Sequence, residues 1–399
     1  MTDTFIPYGR QSISEADIQA VVDVLRSDFL TQGPAVEHFE KAVADYCGVN
    51  HAVAVNSATS ALHIACLSAG LGPGDTLWTS PNTFVASANC ALYCGASVDF
   101  VDIDPRSYNM SVERLEEKLI DANKTSRLPK VVIPVHFSGQ PCDMALIADL
   151  GREYGFTVIE DASHAIGAKY RGEPVGNCRY SDMMVFSFHP VKIVTTGEGG
   201  AVTTNNSEFH ERLMRLRSHG ITRDPALMEG DSHGTWYYQQ VELGYNYRMT
   251  DIQAALGVSQ MTRLDEFVTR RHEMAKRYES LLAGLPLTLP WQHPDAYSAF
   301  HLYVVHMKSP TLQGEGQGGD GVRRHQVFDL LRSANIGVNV HYIPVHTQPF
   351  YRRIGFTDGM FPEAERHYSE AISLPMFFSM KEEQQDRVVD VLREALLSI

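Results

Sequence analysis

Four short stretches carry residue types whose chemistry belongs together. In "VFSFHPVKIVTTGEGGAVTT" (Val185 to Thr204) one lysine, Lys192, stands between two apolar runs, with Ser187 just ahead of it and Pro190 turning the chain. An amine in apolar surroundings has its charged form penalised, which is what a nucleophilic or proton-transferring lysine needs. In "VIEDASHAIG", Glu160 and Asp161 emerge from an apolar run. A carboxylate leaving a buried strand must meet a cation or hydrogen-bond donors. In "NSATSAL", Ser57, Thr59 and Ser60 open a helix, where free backbone N–H groups and hydroxyls suit a phosphate without any lysine. In "SPNTF", Phe84 follows a proline-bearing turn that can set its ring over strand ends. Alone, each stretch has an ordinary explanation: a solvated loop lysine, an ion pair with an arginine, a helix N-cap and a core aromatic.

These stretches need a scaffold, and the flanking sequence supplies one. From about residue 50 to 205, apolar runs ("HAVAV", "DTLWTS", "SVDFVDID", "KVVIPVHFSG", "TVIED", "DMMVFSF", "GGAVTT") alternate with helical segments such as "ALHIACLSAGL" and "FVASANCALYCG". This alternation indicates an α/β fold with a mostly parallel sheet covered by helices on both faces. Ligands of such sheets bind at the carboxyl ends of the strands, where all four stretches fall. Ahead of the sheet, "SEADIQAVVDVLRSD" and "AVEHFEKAVADYCG" read as amphipathic helices, the first with Ser14 as N-cap and Asp17 completing an imperfect capping box.

Met249 to Leu285 reads as one long helical stretch leading into a smaller α/β unit. That unit comprises a strand in "FHLYVVHMK", a helix in "VRRHQVFDLLRSANIG", a strand in "VNVHYI" and a final helix after Met380. The expected division is a large domain over residues 1–260 and a small domain over 261–399. "GEGQGG" (Gly314 to Gly319) matches G-x-G-x-x-G literally. It lacks the tight turn directly after a strand that a dinucleotide fingerprint requires, and it reads as a surface connection.

Composition narrows the class. The 399 residues are 44% hydrophobic and 21% charged, ordinary for a globular chain, and the net charge of −14 argues against a nucleic-acid or anionic-membrane binder. No stretch approaches the roughly 20 apolar residues of a membrane span, and "MTDTFIPYGRQSIS" lacks the basic start and apolar run of a signal peptide. The six cysteines are scattered without zinc spacing, and no metal site is expected. A cytoplasmic setting fits these features.

One cofactor uses all four stretches: pyridoxal 5′-phosphate. Its aldehyde condenses with a lysine, a carboxylate keeps its ring nitrogen protonated, its phosphate needs donors and its flat ring needs a stacking partner. With this reading in place the chain resembles the DegT/DnrJ/StrS family of sugar aminotransferases, which have the fold type I PLP-dependent architecture. The resemblance runs from "LTQGPAVEHFE" and "NSATSAL" through "PNTFVASANC", "IEDASHAIGA" and "SFHPVKIVTTGEGG" to "GYNYRMTDIQAALG" and "HYIPVHTQPFY".

The resemblance implies that Lys192 bonds the cofactor and that Asp161 pairs with its ring nitrogen. It places His164 beside the ring and Phe84 stacked upon it, and gives Thr59, Ser60 and Ser187 the phosphate. It also implies a homodimer with shared sites, in which Asn246 reaches the phosphate of the neighbouring subunit. Among relatives the motifs look most like the C4 aminotransferase of pseudaminic acid biosynthesis, and "GEGG" after the lysine is typical of C4 enzymes. The implied substrates are L-glutamate and a UDP-linked 4-keto-6-deoxy-N-acetylhexosamine. Tyr8, Arg10, Thr31, Gln32, Arg248, His341 and His346 are the candidates for holding the nucleotide sugar. Three other readings stay open: a nicotinamide oxidoreductase, for which "NSATS" lacks the glycines; a sugar C3 dehydratase, which carries histidine at the lysine position; and a non-enzymatic PLP-binding protein.

Overall fold

A computed structural model describes residues 4–308 and 319–398 of the chain. Its centre is a seven-stranded sheet. From edge to edge the strands are His51–Val55, Gly200–Thr204, Met183–Ser187, Thr157–Asp161, Val131–Ile133, Thr76–Thr79 and Ser97–Phe100. Gly200–Thr204 runs antiparallel to both of its neighbours, and the other pairings are parallel. Six strands therefore end at one edge, and the reversed strand begins there. Every residue of Met183–Ser187 and Gly200–Thr204 is buried, as expected for strands covered on both faces.

Successive side chains alternate between two cores, as the pleat requires. Val53, Val55, Ile133 and Ile159 join the core under helices Ala58–Ser68, Ala86–Tyr93 and Ser207–Arg217. Ala52 and Ala54 face helices Pro34–Cys47 and Asp251–Met261, while Val132 and Val158 face Val112–Lys124 and Met144–Tyr154. All six cysteines are buried and free. Ser14 caps helix Glu15–Leu25, with Asp17 closing a full capping box. No helix among the described residues is long and apolar enough to cross a membrane.

A second, antiparallel sheet joins Leu287–Thr288, Tyr303–Met307 and Ala371–Leu374. Its core includes Tyr278, Leu331 and Leu392, and also Ile6 from the start of the chain, whose backbone pairs with Asn335 and Gly337. The long stretch from Met249 is two helices, Asp251–Met261 and Leu264–Leu281. At the break, the Thr262 hydroxyl donates back to the Ser259 carbonyl, a local bond that competes with the helix ladder. "VNVHYI" does not form a strand; only Asn339 bridges, to Ser373. The rest of the segment is drawn over the large sheet, where Tyr342 N–H donates to Asn82 Oδ1 and Val345 N–H to the Pro81 carbonyl. The rejected "GEGQGG" run lies outside the described residues as far as residue 318.

One glycine fixes how closely the reversed strand meets the rest. A Cβ on Gly200 would lie 2.6 Å from Ala58 N and from the Ser57 carbonyl group, closer than any ordinary packing contact. Its absence lets the strand press against the start of helix Ala58–Ser68. Gly200→Ala is expected to destabilise the protein by about 1–3 kcal/mol through overpacking, read as a lower urea midpoint. An unchanged midpoint would show that the helix can back away freely.

Candidate active site

The strand ends surround a cavity of about 630 Å³ whose lining includes Ser57, Thr59, Phe84, Asp161, Ser187 and Lys192. Each gets there by simple means. Asp161 is the last residue of Thr157–Asp161, and strand alternation sends the preceding acid, Glu160, the other way, to His136 and Ser181. Ser187 ends its own strand opposite Gly200. Lys192 sits in the loop that reverses the chain between those two residues. That loop is folded on itself: Phe188 N–H donates to the Gly199 carbonyl, Thr196 N–H to the Phe188 carbonyl and Lys192 N–H to the His189 carbonyl.

Asp161 is 5% exposed. One carboxylate oxygen accepts the Ser87 hydroxyl at 2.6 Å and the other accepts the Ser163 N–H at 3.0 Å. Two hydrogen bonds fix its orientation and leave acceptor capacity towards the cavity. Burial pushes the Lys192 amine down to about 8, and the Asp161 carboxylate pulls it back up. His164 is held well below the usual histidine range, by burial first and then by Lys192 and His341. Its Nδ1 accepts the Ser138 N–H, so the neutral ring carries its proton on Nε2, 3.0 Å from the Tyr342 hydroxyl. His341 lines the same cavity and is pushed down to about 3, again by burial first, with its Nδ1 on the Ser373 hydroxyl.

At the start of helix Ala58–Ser68, Ser57 Oγ accepts the Ser60 N–H as an N-cap. The N–H groups of Ala58 and Thr59 have no intrahelical acceptor and stand at the cavity wall. The Ser60 hydroxyl is engaged within the turn, donating to Asn56 Oδ1 at 2.7 Å, and Ser60 is not part of the lining. Ser57 and the backbone replace it there. Phe84 lines the cavity with its side chain 59% exposed, and its ring centroid is 6.4 Å from that of Tyr342.

Of the residues expected to hold sugar or nucleotide, Tyr8 and His341 line the cavity, their rings 5.6 Å apart. Arg10, Thr31 and Gln32 are exposed and outside its lining. Arg248 is half-buried and bridges Val55 through the backbone, while Asn246 is exposed and bridges Ser218. Neither reaches the cavity of its own chain. His346 is a correction: it is fully buried, with Nε2 on Glu365 and its ring against Phe361. It serves the core rather than a ligand. Sequence reasoning passed over Tyr342 and His301, which also line the cavity. Tyr342 lay inside a quoted motif, but no spacing signal distinguished it from its neighbours, and the same holds for His301.

This donor set fits pyridoxal 5′-phosphate. Lys192 would hold the aldehyde carbon and Asp161 the ring nitrogen, while the helix start, Thr59 and Ser187 would hold the phosphate. Comparison with known proteins agrees. The DegT/DnrJ/EryC1/StrS aminotransferase family pattern matches residues 11–393. The spore coat polysaccharide biosynthesis protein SpsC of Bacillus subtilis is 39% identical over 98% of this chain and 97% of its own. The UDP-4-amino-4,6-dideoxy-N-acetyl-beta-L-altrosamine transaminase of Campylobacter jejuni is 36% identical, covering 97% of this chain and 96% of its own. The solved structure of Helicobacter pylori PseC, an aminotransferase involved in the biosynthesis of pseudoaminic acid, superimposes with a TM-score of 0.88 at 29% identity, covering 99% of this chain and 100% of that one. With a full-length match and a lysine, a carboxylate and a helix start gathered in one cavity, the chain belongs to the DegT/DnrJ/EryC1/StrS family and is a pyridoxal 5′-phosphate-dependent transaminase of the fold type I architecture.

Proposed function

We propose that this transaminase moves the amino group of L-glutamate to C4 of UDP-2-acetamido-2,6-dideoxy-β-L-arabino-hex-4-ulose, in pseudaminic acid biosynthesis, as a homodimer with shared sites. The observation that carries the chemistry is the single cavity holding Lys192, Asp161 and the helix start at Ser57. The full-length likeness to the Campylobacter jejuni transaminase supports the sugar. "GEGG" lends less weight than its motif suggests, because close packing of Gly200 on Ser57 and Ala58 accounts for the last of its glycines. C4 amination of a perosamine, bacillosamine or 4-amino-arabinose precursor is the alternative. The division into domains at residues 260 and 261 also belongs to this proposal.

When bound, pyridoxal phosphate supplies an electrophilic carbon and a ring that withdraws electrons from the reacting centre. The chain supplies the rest. Asp161, fixed by Ser87 and Ser163, would present its carboxylate to the ring nitrogen. Helix N–H groups and Ser187 anchor the phosphate end. Lys192, once its amine is free, would take the proton from the α-carbon of the donor and deliver it to the former aldehyde carbon of the cofactor. Its lowered pKa leaves a usable neutral fraction near pH 7.

Lys192→Ala is expected to abolish turnover while the circular dichroism spectrum stays that of the folded protein; near-normal turnover would defeat the assignment. Asp161→Asn is expected to lower kcat by roughly 100-fold or more and to weaken cofactor retention on gel filtration. Because the Lys192 amine must be neutral to accept a proton, the rate with L-glutamate should rise with pH and level off above about 8. A rate independent of pH across that value would assign the base elsewhere. For the sugar, amination assayed across UDP- and dTDP-linked 4-keto sugars should favour the β-L-arabino substrate, and preference for another member of the panel would transfer the assignment to it.

A further inference from the structure

One wall of the cavity is formed by consecutive residues, His341 and Tyr342. The peptide unit joining them is held at both of its polar ends by side chains that do not line the cavity. His367 Nε2 lies 2.8 Å from the His341 carbonyl oxygen. A carbonyl only accepts, so this nitrogen carries the hydrogen. The Nδ1 of a neutral His367 must then accept, and it lies 2.9 Å from His306 Nε2, which donates. His306 Nδ1 is left unprotonated, in keeping with its lack of a hydrogen-bond partner among the described residues. Both rings are about 2% exposed. Burial keeps them neutral, holding His367 down to about 4 and His306 well below the usual range.

The N–H of the same peptide unit, that of Tyr342, donates to Asn82 Oδ1. Asn82 Nδ2 in turn donates to the carbonyl of Tyr108. The Tyr108 ring stacks on His306 with centroids 4.1 Å apart and planes 25° from parallel. The two arms thus meet, and the clamp is closed. The groups facing the histidine pair are Tyr108, Glu363, Arg366 and Glu370 from the outer side and His341 from the inner. What the clamp delivers is the Tyr342 hydroxyl. His164 donates to it from Nε2, so the tyrosine's own hydrogen is free to point into the cavity.

We propose that His306 and His367, together with Asn82, are positioning residues for the transamination site. They lock the His341–Tyr342 peptide so that the Tyr342 hydroxyl, which accepts from His164 Nε2, is aimed into the cavity at the reacting groups. This inference rests on the cofactor reading and is independent of which sugar is used. A pair with a merely structural role would affect melting alone.

The test uses the PLP-loaded enzyme and four variants: Tyr342→Phe, His367→Leu, His367→Gln and the double variant Tyr342→Phe/His367→Leu. Two quantities are read: the pH midpoint of the visible absorbance of the bound cofactor, and the single-turnover rate with L-glutamate. His367→Leu is expected to slow that rate roughly tenfold or more, as small misplacements at such sites do, and to move the absorbance midpoint in the same direction as Tyr342→Phe. Since His367 acts through Tyr342, the double variant should be no more than roughly twofold worse than the poorer single one. His367→Gln, which keeps an N–H for the His341 carbonyl, should recover most of the rate.

Wild-type behaviour of either Tyr342→Phe or His367→Leu would overturn the proposal, as would additive losses or a folded His367→Gln as slow as His367→Leu. If His367→Leu does not fold, His306→Phe, which retains a ring against Tyr108 but cannot donate, is read by the same criteria. The absorbance readout needs neither sugar nor amino donor, so an error in the substrate assignment leaves it unchanged.

Discussion

A single carboxylate at the end of a buried strand sets the terms for the rest of this structure. Asp161 sits at the carboxyl edge of the central sheet, nearly removed from water. A charge there is unfavourable unless donors and a cation answer it. Ser87 and Ser163 provide the donors from two different loops. The Lys192 amine, which lines the same cavity and whose charged form the carboxylate favours, supplies the cation. The reversal of Gly200–Thr204, the fold of the lysine loop and the close seat of Gly200 on the helix start all serve that encounter. They bring the amine, the carboxylate and the phosphate donors to one edge, which no arrangement of purely parallel strands and crossover helices would achieve with so short a loop.

Much of this was legible from residue order. Strand ends carry ligands, and "NSATS", "PNTF", "EDASH" and "FHPVK" each follow an apolar run, so their meeting at one edge follows from the alternation of elements. What escaped notice depended on three-dimensional detail. Ser57 and Ser60 are equivalent on paper, yet Ser57 comes to the cavity lining while Ser60 stays outside it with its hydroxyl on Asn56. His341 and His346 lie in one short motif, but a turn of 3-10 helix places the second in the core against Phe361. "VNVHYI" has the composition of a strand, and hydrogen bonds to Pro81 and Asn82 draw it away from the small sheet. Local propensity is overruled where another loop offers better partners.

The histidines show why residue type alone misleads. In each of His136, His306, His341, His346 and His367 at least one ring nitrogen is hydrogen-bonded, all are buried, and only His341 reaches the cavity lining. Of the others, His306 and His367 act as neutral linkers whose direction of donation is fixed by the His341 carbonyl at one end. Such linkers rigidify a wall without presenting any charge to it. A site that must distinguish the protonation states of a lysine and a cofactor gains from walls of this kind.

The reversed strand has a consequence for how the protein comes into being. Gly200–Thr204 pairs with His51–Val55 on one side and Met183–Ser187 on the other, and it runs from the loop that carries Lys192 to seat against the start of helix Ala58–Ser68. The second pairing closes a single short loop, whereas the first joins segments far apart in the chain, the kind of pairing whose loop-closure entropy must be met before its reward. The chain up to Ser187 contains Ser57, Thr59, Asp161 and Ser187 of the cavity lining, but neither Lys192 nor the strand that lies between His51–Val55 and Met183–Ser187. The lysine and the strand that completes the sheet therefore lie in one short stretch of chain, so the cavity and the sheet are completed by the same segment.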